Sequence, residues 1–168
     1  MSPPLALSLP FIKGETLHGY VSRNATLFEI TARDFCTDLG MRWPFLCSGH
    51  DDQIERLAWL IDHPRESLQR WSAQRLSIGR YRVGRTHSST GVFRRTATRL
   101  CPICVEEALT TTGPHGVFKL LEWSVLCLHR CHKHGCALVP LPPATHSNLT
   151  YDVVSQVQLH EAEVRDAA

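Results

Sequence analysis

Two short stretches concentrate the side chains able to bind a metal or run thiol chemistry: "CPIC" at 101–104 and "RCHKHGC" at 130–136. In the first, Cys101 and Cys104 have the two-residue spacing that lets both thiolates reach one tetrahedral ion. Cys131 and His134 repeat that spacing in the second, giving a Cys3His set of Cys101, Cys104, Cys131 and His134. Zn2+ suits three thiolates and an imidazole, and four protein ligands leave no position for a substrate, so such a site is structural. His132 competes with His134 on spacing, and Cys127 or Cys136 with Cys131. Cys127 stands in an apolar run and reads as a small buried hydrophobe. Gly135 allows a tight turn after the last ligand.

Other chemistries fit less well. A thioredoxin-like use of "CPIC" needs a preceding strand and a βαβ setting, whereas an Arg-rich stretch precedes it. A zinc deaminase needs His-x-Glu before Pro-Cys-x-x-Cys, and here proline follows the first cysteine. No Gly-rich phosphate loop or Ser-His-Asp set stands out. The chain reads as a non-enzyme.

The second chemical signal is charge. Residues 65 to 99 carry nine arginines against one acid, Glu66, although the formal net charge of all 168 residues is only +2. Such a run suits a polyanion, because guanidinium groups pair bidentately with phosphate. Arg80, Arg82, Arg85, Arg94 and Arg95 are the candidate contacts to DNA phosphate or an acidic partner face.

The elements that must position these groups follow from periodicity. Leu17, Tyr20, Val21, Ala25 and Phe28 recur at helical spacing, with Glu15 or Thr16 at the start. "TARDFCTDLG" opens on a capping Thr31 and stops at Gly40. These two helices outline a helix-turn-helix. "DDQIERLAWLIDH" faces Ile54, Leu57, Ala58 and Ile61 inward, and "PRESLQRWSAQRL" does so with Leu68, Trp71 and Leu76.

The expected fold class is α+β: a small helical, helix-turn-helix-like domain over 1–76 and a zinc-finger module with a short β-hairpin over 101–140. An Arg-rich connector, a basic loop with at most a short strand, joins them over 77–100. A polar, loosely ordered tail fills 141–168. The stretch "VFKLLEWSVLCL" supplies a helix or hairpin between the ligand pairs. No run of about 18 apolar residues exists to span a membrane. The start lacks the basic flank of a secretory signal. A reducing, cytoplasmic setting follows, in which cysteines bind metal or are simply buried.

Taken together, "LPFIKGETLHGYVSRNA", "TRLCPICVEE" and "EWSVLCLHRCHKHGCALVP" resemble the TniQ/TnsD family of bacterial transposition proteins, over roughly residues 7 to 140. The resemblance implies that Cys101, Cys104, Cys131 and His134 form the zinc site, that Trp123 is the buried aromatic beside it, and that the N-terminal segment is helix-turn-helix-like. It also implies adaptor work without catalysis. A target-recognising element, a DNA site or a CRISPR effector complex, is linked to the transposon's AAA+ ATPase regulator and so to the transposase. A second copy of the chain is admitted as a partner. His132 stands where the family has proline, and no cysteine follows Cys136, whereas many members carry a second paired site. The expectation is a short member or the front of a longer protein. The alternative is a stand-alone zinc-containing transcription regulator.

Overall fold

The computed structural model describes residues 5–84, 86–93 and 98–168. Among them are eight helices and two small antiparallel sheets. The extended segment 5–13 leads into α1 (Leu17–Thr26), capped by the Thr16 hydroxyl, which accepts the Gly19 N–H at 3.1 Å. Then come α2 (Ala32–Asp38), α3 (Trp43–Cys47), α4 (Asp51–Leu60) and α5 (Arg65–Arg70). The Thr31 side chain caps α2. Its end is closed by two bonds, from Gly40 N–H to Thr37 O and from Met41 N–H to Cys36 O, with Gly40 at φ +68° as a left-handed stop.

The first core draws Leu17, Tyr20 and Val21 of α1 together with Phe35, Trp43, Leu46, Ile54, Leu57 and Leu68 of the other helices. Helix α1 has no solvent face: every residue from Leu17 to Ala25 is buried. Even its charge is internal. Arg23 donates to both oxygens of Glu15 at 2.7 and 2.8 Å and to the Pro10 carbonyl at 2.9 Å. Asn24 and Tyr20 hold the two sides of Leu9, through Leu9 N–H to Asn24 Oδ1 (2.9 Å) and Tyr20 O–H to Leu9 O (3.0 Å). The polar residues of "GETLHGYVSRNA" therefore tie the leader to α1.

The stretch 77–100, expected as a basic loop with at most a short strand, contributes to four strands among its described residues. β1 (Ala73–Ser77), β2 (Arg80–Val83) and β3 (Thr86–Ser89) pair antiparallel in that order. Helix α5 ends at Arg70, so Leu76, expected on a helical core face, lies in β1 with 48% of its surface exposed. Only Ala73, Tyr81 and Val83 of this sheet join a core, a small one with Phe93, Leu121 and Val125. That sparse apolar content hides the strands from a periodicity reading.

Next, β4 (Arg99–Leu100) pairs with β5 (Val139–Pro140), joining the two ends of the cysteine-rich region. Between them lie α6 (Pro102–Thr111) and 3₁₀ turns at Pro114–Gly116 and Leu121–Ser124. The stretch 117–128 is thus a turn with isolated bridges, not a helix or hairpin, because its chain pairs outward, Leu120 with Glu15 and Val125 with Phe93.

The tail expected to be loosely ordered folds as α7 (Val153–Leu159) and α8 (Glu161–Asp166). Val153, Val154, Val157 and Val164 are buried in the second core with Leu100, Val105 and Trp123. Burial of these valines offsets the entropy of ordering a polar segment. Among the described residues no helix is long and apolar enough to cross a membrane.

Candidate metal centre and basic sheet

Cys101 is the N-cap of α6 and Pro102 its first residue, a position where the missing N–H is no loss. The Cys101 sulfur accepts the Cys104 N–H at 3.4 Å, so both thiols sit at the start of one helix. The second pair lies on a tight reversal flanked by the Arg130–Ala137 bridge. There the Cys131 N–H donates to Cys136 O (2.9 Å) and the Gly135 N–H to Cys131 O (2.8 Å).

These two turns meet. The donor atoms of Cys101, Cys104, Cys131 and His134 all lie within 4.8 Å of one another, and the three cysteines are buried. His134 Nδ1 stands 3.2 Å from Cys101 Sγ, 3.3 Å from Cys104 Sγ and 3.9 Å from Cys131 Sγ, and Cys104 Sγ is 3.9 Å from Cys131 Sγ. A tetrahedral zinc site has edges of about 3.8 Å between sulfurs and about 3.6 Å between sulfur and nitrogen, from its bond lengths. The four groups fit a metal ion in both donor type and spacing.

The competitors are placed elsewhere. His132 points its Nδ1 at Glu122 Oε1 (2.5 Å). Cys136 approaches Cys101 at 3.4 Å but falls outside the mutually close set. Cys127, expected to be buried, is exposed, as is part of its neighbour Leu128, so the apolar run reaches the surface at its end. Cys36 and Cys47 are buried in the helical core.

Burial pushes the Cys104 thiol up to about 11 and Cys101 higher still. At Cys131 burial also pushes upward, but the N–H groups of His134 and Lys133 donate to its sulfur, and the result falls below the ordinary thiol value. A redox CxxC pair needs the opposite at its nucleophile. Two buried, proton-holding thiols suit a site where a cation takes the place of the protons.

One contributor escaped the sequence reading. Glu107, on α6 one residue beyond the turn that holds Cys104, brings Oε1 to 3.2 Å from His134 Nε2 and Oε2 to 2.5 Å from Lys133 Nζ. It fixes the imidazole so that Nδ1 faces the thiols, as carboxylates behind metal-bound histidines do. The signal was present as the acidic pair after "CPIC", but only the fold brings it to His134. Trp123, 99% buried, stacks on Phe118 at 5.8 Å in the core that holds Cys101, Cys104 and Cys131.

The basic run is divided among several tasks. Arg80 and Arg82 alternate outward on β2, exposed on one face of the sheet. Arg82 borders a cleft of about 770 Å³ that also includes Asp51, Glu66 and Arg70. Arg99 is internal, donating to Trp123 O (2.9 Å) and Val125 O (2.5 Å). Arg65 pairs loosely with Asp51 and Glu55 at 3.6 Å. Arg85, Arg94 and Arg95 lie outside the described residues.

The TniQ family model matches residues 6–138, from the leader clamped by Arg23 through both ligand pairs. A comparison with curated proteins returns no match. The match spans the helical core, the small sheet core and the second core as far as Leu138, and with them the cysteine-rich turns and the buried α1. The chain belongs to the TniQ family, whose members are non-catalytic accessory proteins of transposition.

Proposed function

We propose that the protein is an adaptor in DNA transposition, linking target-site recognition to the transposon's AAA+ ATPase regulator and through it to the transposase. The observation that carries this reading is the family match over 6–138, which includes four side chains grouped closely enough to hold a metal ion. Cys101, Cys104, Cys131 and His134 would hold Zn2+, which supplies cross-linking and no reaction. These residues clamp the start of α6 to the 131–136 turn. Arg80 and Arg82, both exposed, and with them Arg85, Arg94 and Arg95, supply phosphate or acidic-partner contacts. The target-recognising element is a DNA site or a CRISPR effector complex, a second copy of the chain is an admitted partner, and the compartment is the bacterial cytoplasm.

The exposed flank of α2 mixes Arg33 with Asp34 and Asp38, which gives phosphate little to bind. A stand-alone operator-binding regulator therefore gains no support from this helix pair. The test is reconstitution with an AAA+ ATPase regulator from a transposon that carries a member of this family. The expected result is ATP-dependent co-elution on DNA that is lost after chelation or in Cys104→Ser. A zinc-loaded chain that ignores the ATPase yet binds one operator sequence would overturn the reading.

A further inference from the structure

The β1–β2 hairpin ends in a feature that the adaptor reading does not use. Its two-residue tip, Ile78–Gly79, carries an isoleucine with 91% of its surface exposed. Two more exposed apolar residues lie at that end of the sheet: Leu76 (48%) before the tip, and Val92 (49%) in the turn after β3. The tip is anchored, because Thr90 N–H donates to Gly79 O at 3.1 Å.

Cations stand on both sides of it. Arg75 pairs opposite Tyr81, on the face shared with Ala73 and Val83, whereas Arg80 and Arg82 occupy the other face. The register slips between Arg75 and Ser77, a bulge that inserts Leu76 and re-aims the tip. From residue 67 to 105 the chain has eight arginines and no acid, so a polyanion is the complementary partner. At the base of the sheet Arg82 shares its cleft with Asp51, which leaves Arg75 and Arg80 as the freer charges.

An apolar tip between cations on opposite faces matches a groove with phosphates along both rims. In B-form DNA the minor groove is about 6 Å wide and admits apolar wedges that unstack a base step. The minor groove of A-form RNA is wide and shallow, and offers such a tip no walls. We propose that the β1–β2 tip enters the minor groove of duplex DNA, with Ile78 as a wedge at a base step and Arg75 and Arg80 on the flanking phosphates. This rests on the DNA-contact part of the proposed function and not on the ATPase link.

The experiment uses the zinc-loaded full chain and an A·T-rich duplex carrying 2-aminopurine at successive positions, with an RNA duplex and the ATPase in parallel. Wild type should raise 2-aminopurine fluorescence at one step. Arg75→Ala with Arg80→Ala should lower the slope of log affinity against log salt by about two. Ile78→Ser should leave that slope unchanged, abolish the fluorescence gain and weaken binding by about tenfold. All three side chains are exposed, so the fold should survive each change.

A double-arginine variant with unchanged affinity and slope, an Ile78→Ser chain that keeps the fluorescence gain, preferential RNA binding, or no duplex binding at all would each overturn the proposal. Loss of ATPase binding in Ile78→Ser with DNA binding intact would do so as well, by making the tip a protein contact. Because both variants should retain the ATPase, failure here leaves the adaptor reading standing, and failure of ATPase binding by wild type is a separate result.

Discussion

Ser22 and Asp152, 130 residues apart, meet inside the protein with Ser22 Oγ donating to Asp152 Oδ1 at 2.6 Å. The second carboxylate oxygen accepts the Ala32 N–H at 2.9 Å, and the Ser155 N–H donates to the first at 3.3 Å. The serine oxygen in turn accepts the Val154 N–H at 2.8 Å. One buried carboxylate thus caps the starts of both α2 and α7 and pins the second to α1. Asp152→Ala should destabilise the protein by about 3 kcal/mol, the sum of two cap losses and an orphaned hydroxyl. Asp152→Asn should cost about half of that. Urea midpoints at unchanged slope would measure both.

Much of the helical part was legible because its signals are local. Thr16, Thr31 and Gly40 mark helix ends through bonds to residues three to five positions away, and the four candidate metal ligands announce themselves by spacing. The tail was not legible. Helix α7, which carries Val153, Val154 and Val157, spans barely two turns, and so short a helix forms only against a partner. Its partner is Ser22, far away in the sequence. The sheet stayed hidden for a related reason: Arg80 and Arg82 face solvent, and Tyr81 and Val83 meet a core assembled from Phe93 and Leu121.

The metal centre separates ligands from neighbours. Cys101→Ser or Cys104→Ser should lose about one zinc per chain and unfold the region around it, since structural zinc contributes on the order of 10 kcal/mol to small modules. Cys136→Ser should keep the metal. Glu107→Gln should keep it too, with affinity lower by about 10- to 100-fold because the His134 ring is less firmly oriented. Competition with a zinc-sensitive chelator, read beside metal content, distinguishes the three behaviours.

Lys119 gives the stability a pH signature. It is fully buried, and burial first, then the positive charge of Arg99, lower its pKa to about 7. In the unfolded chain it stays protonated to about 10. Between these values the unfolded state binds the extra proton, so stability should rise with pH by up to about 1.4 kcal/mol per unit. The clean window runs from pH 7 to about 7.5, below the range in which unfolded cysteines ionise. Lys119→Met should flatten that slope in denaturant titrations across the window; an unchanged slope would assign it to another group.

Gly49 is where the helices admit the sheet. Its φ is +69°, and a Cβ there would stand 2.9 Å from Gln74 Cα, backbone held in place by Arg75 N–H to Ser48 O at 3.1 Å. Gly49→Ala should therefore cost about 2–3 kcal/mol. Gly91, where a Cβ would meet only Ser89 Oγ at 3.7 Å, should accept alanine within about 0.5 kcal/mol. Thermal midpoints of the two variants make the comparison.

Helix α1, enclosed on every side, leaves no outward position at which a new partner could be chosen. Divergence in what such a protein recognises has to be written elsewhere, on the sheet tip, the open flank of α2 or the turn that bears His132. Whatever drifts at those places inherits an unaltered spine. A change of surface contacts would thus require little refitting of the interior.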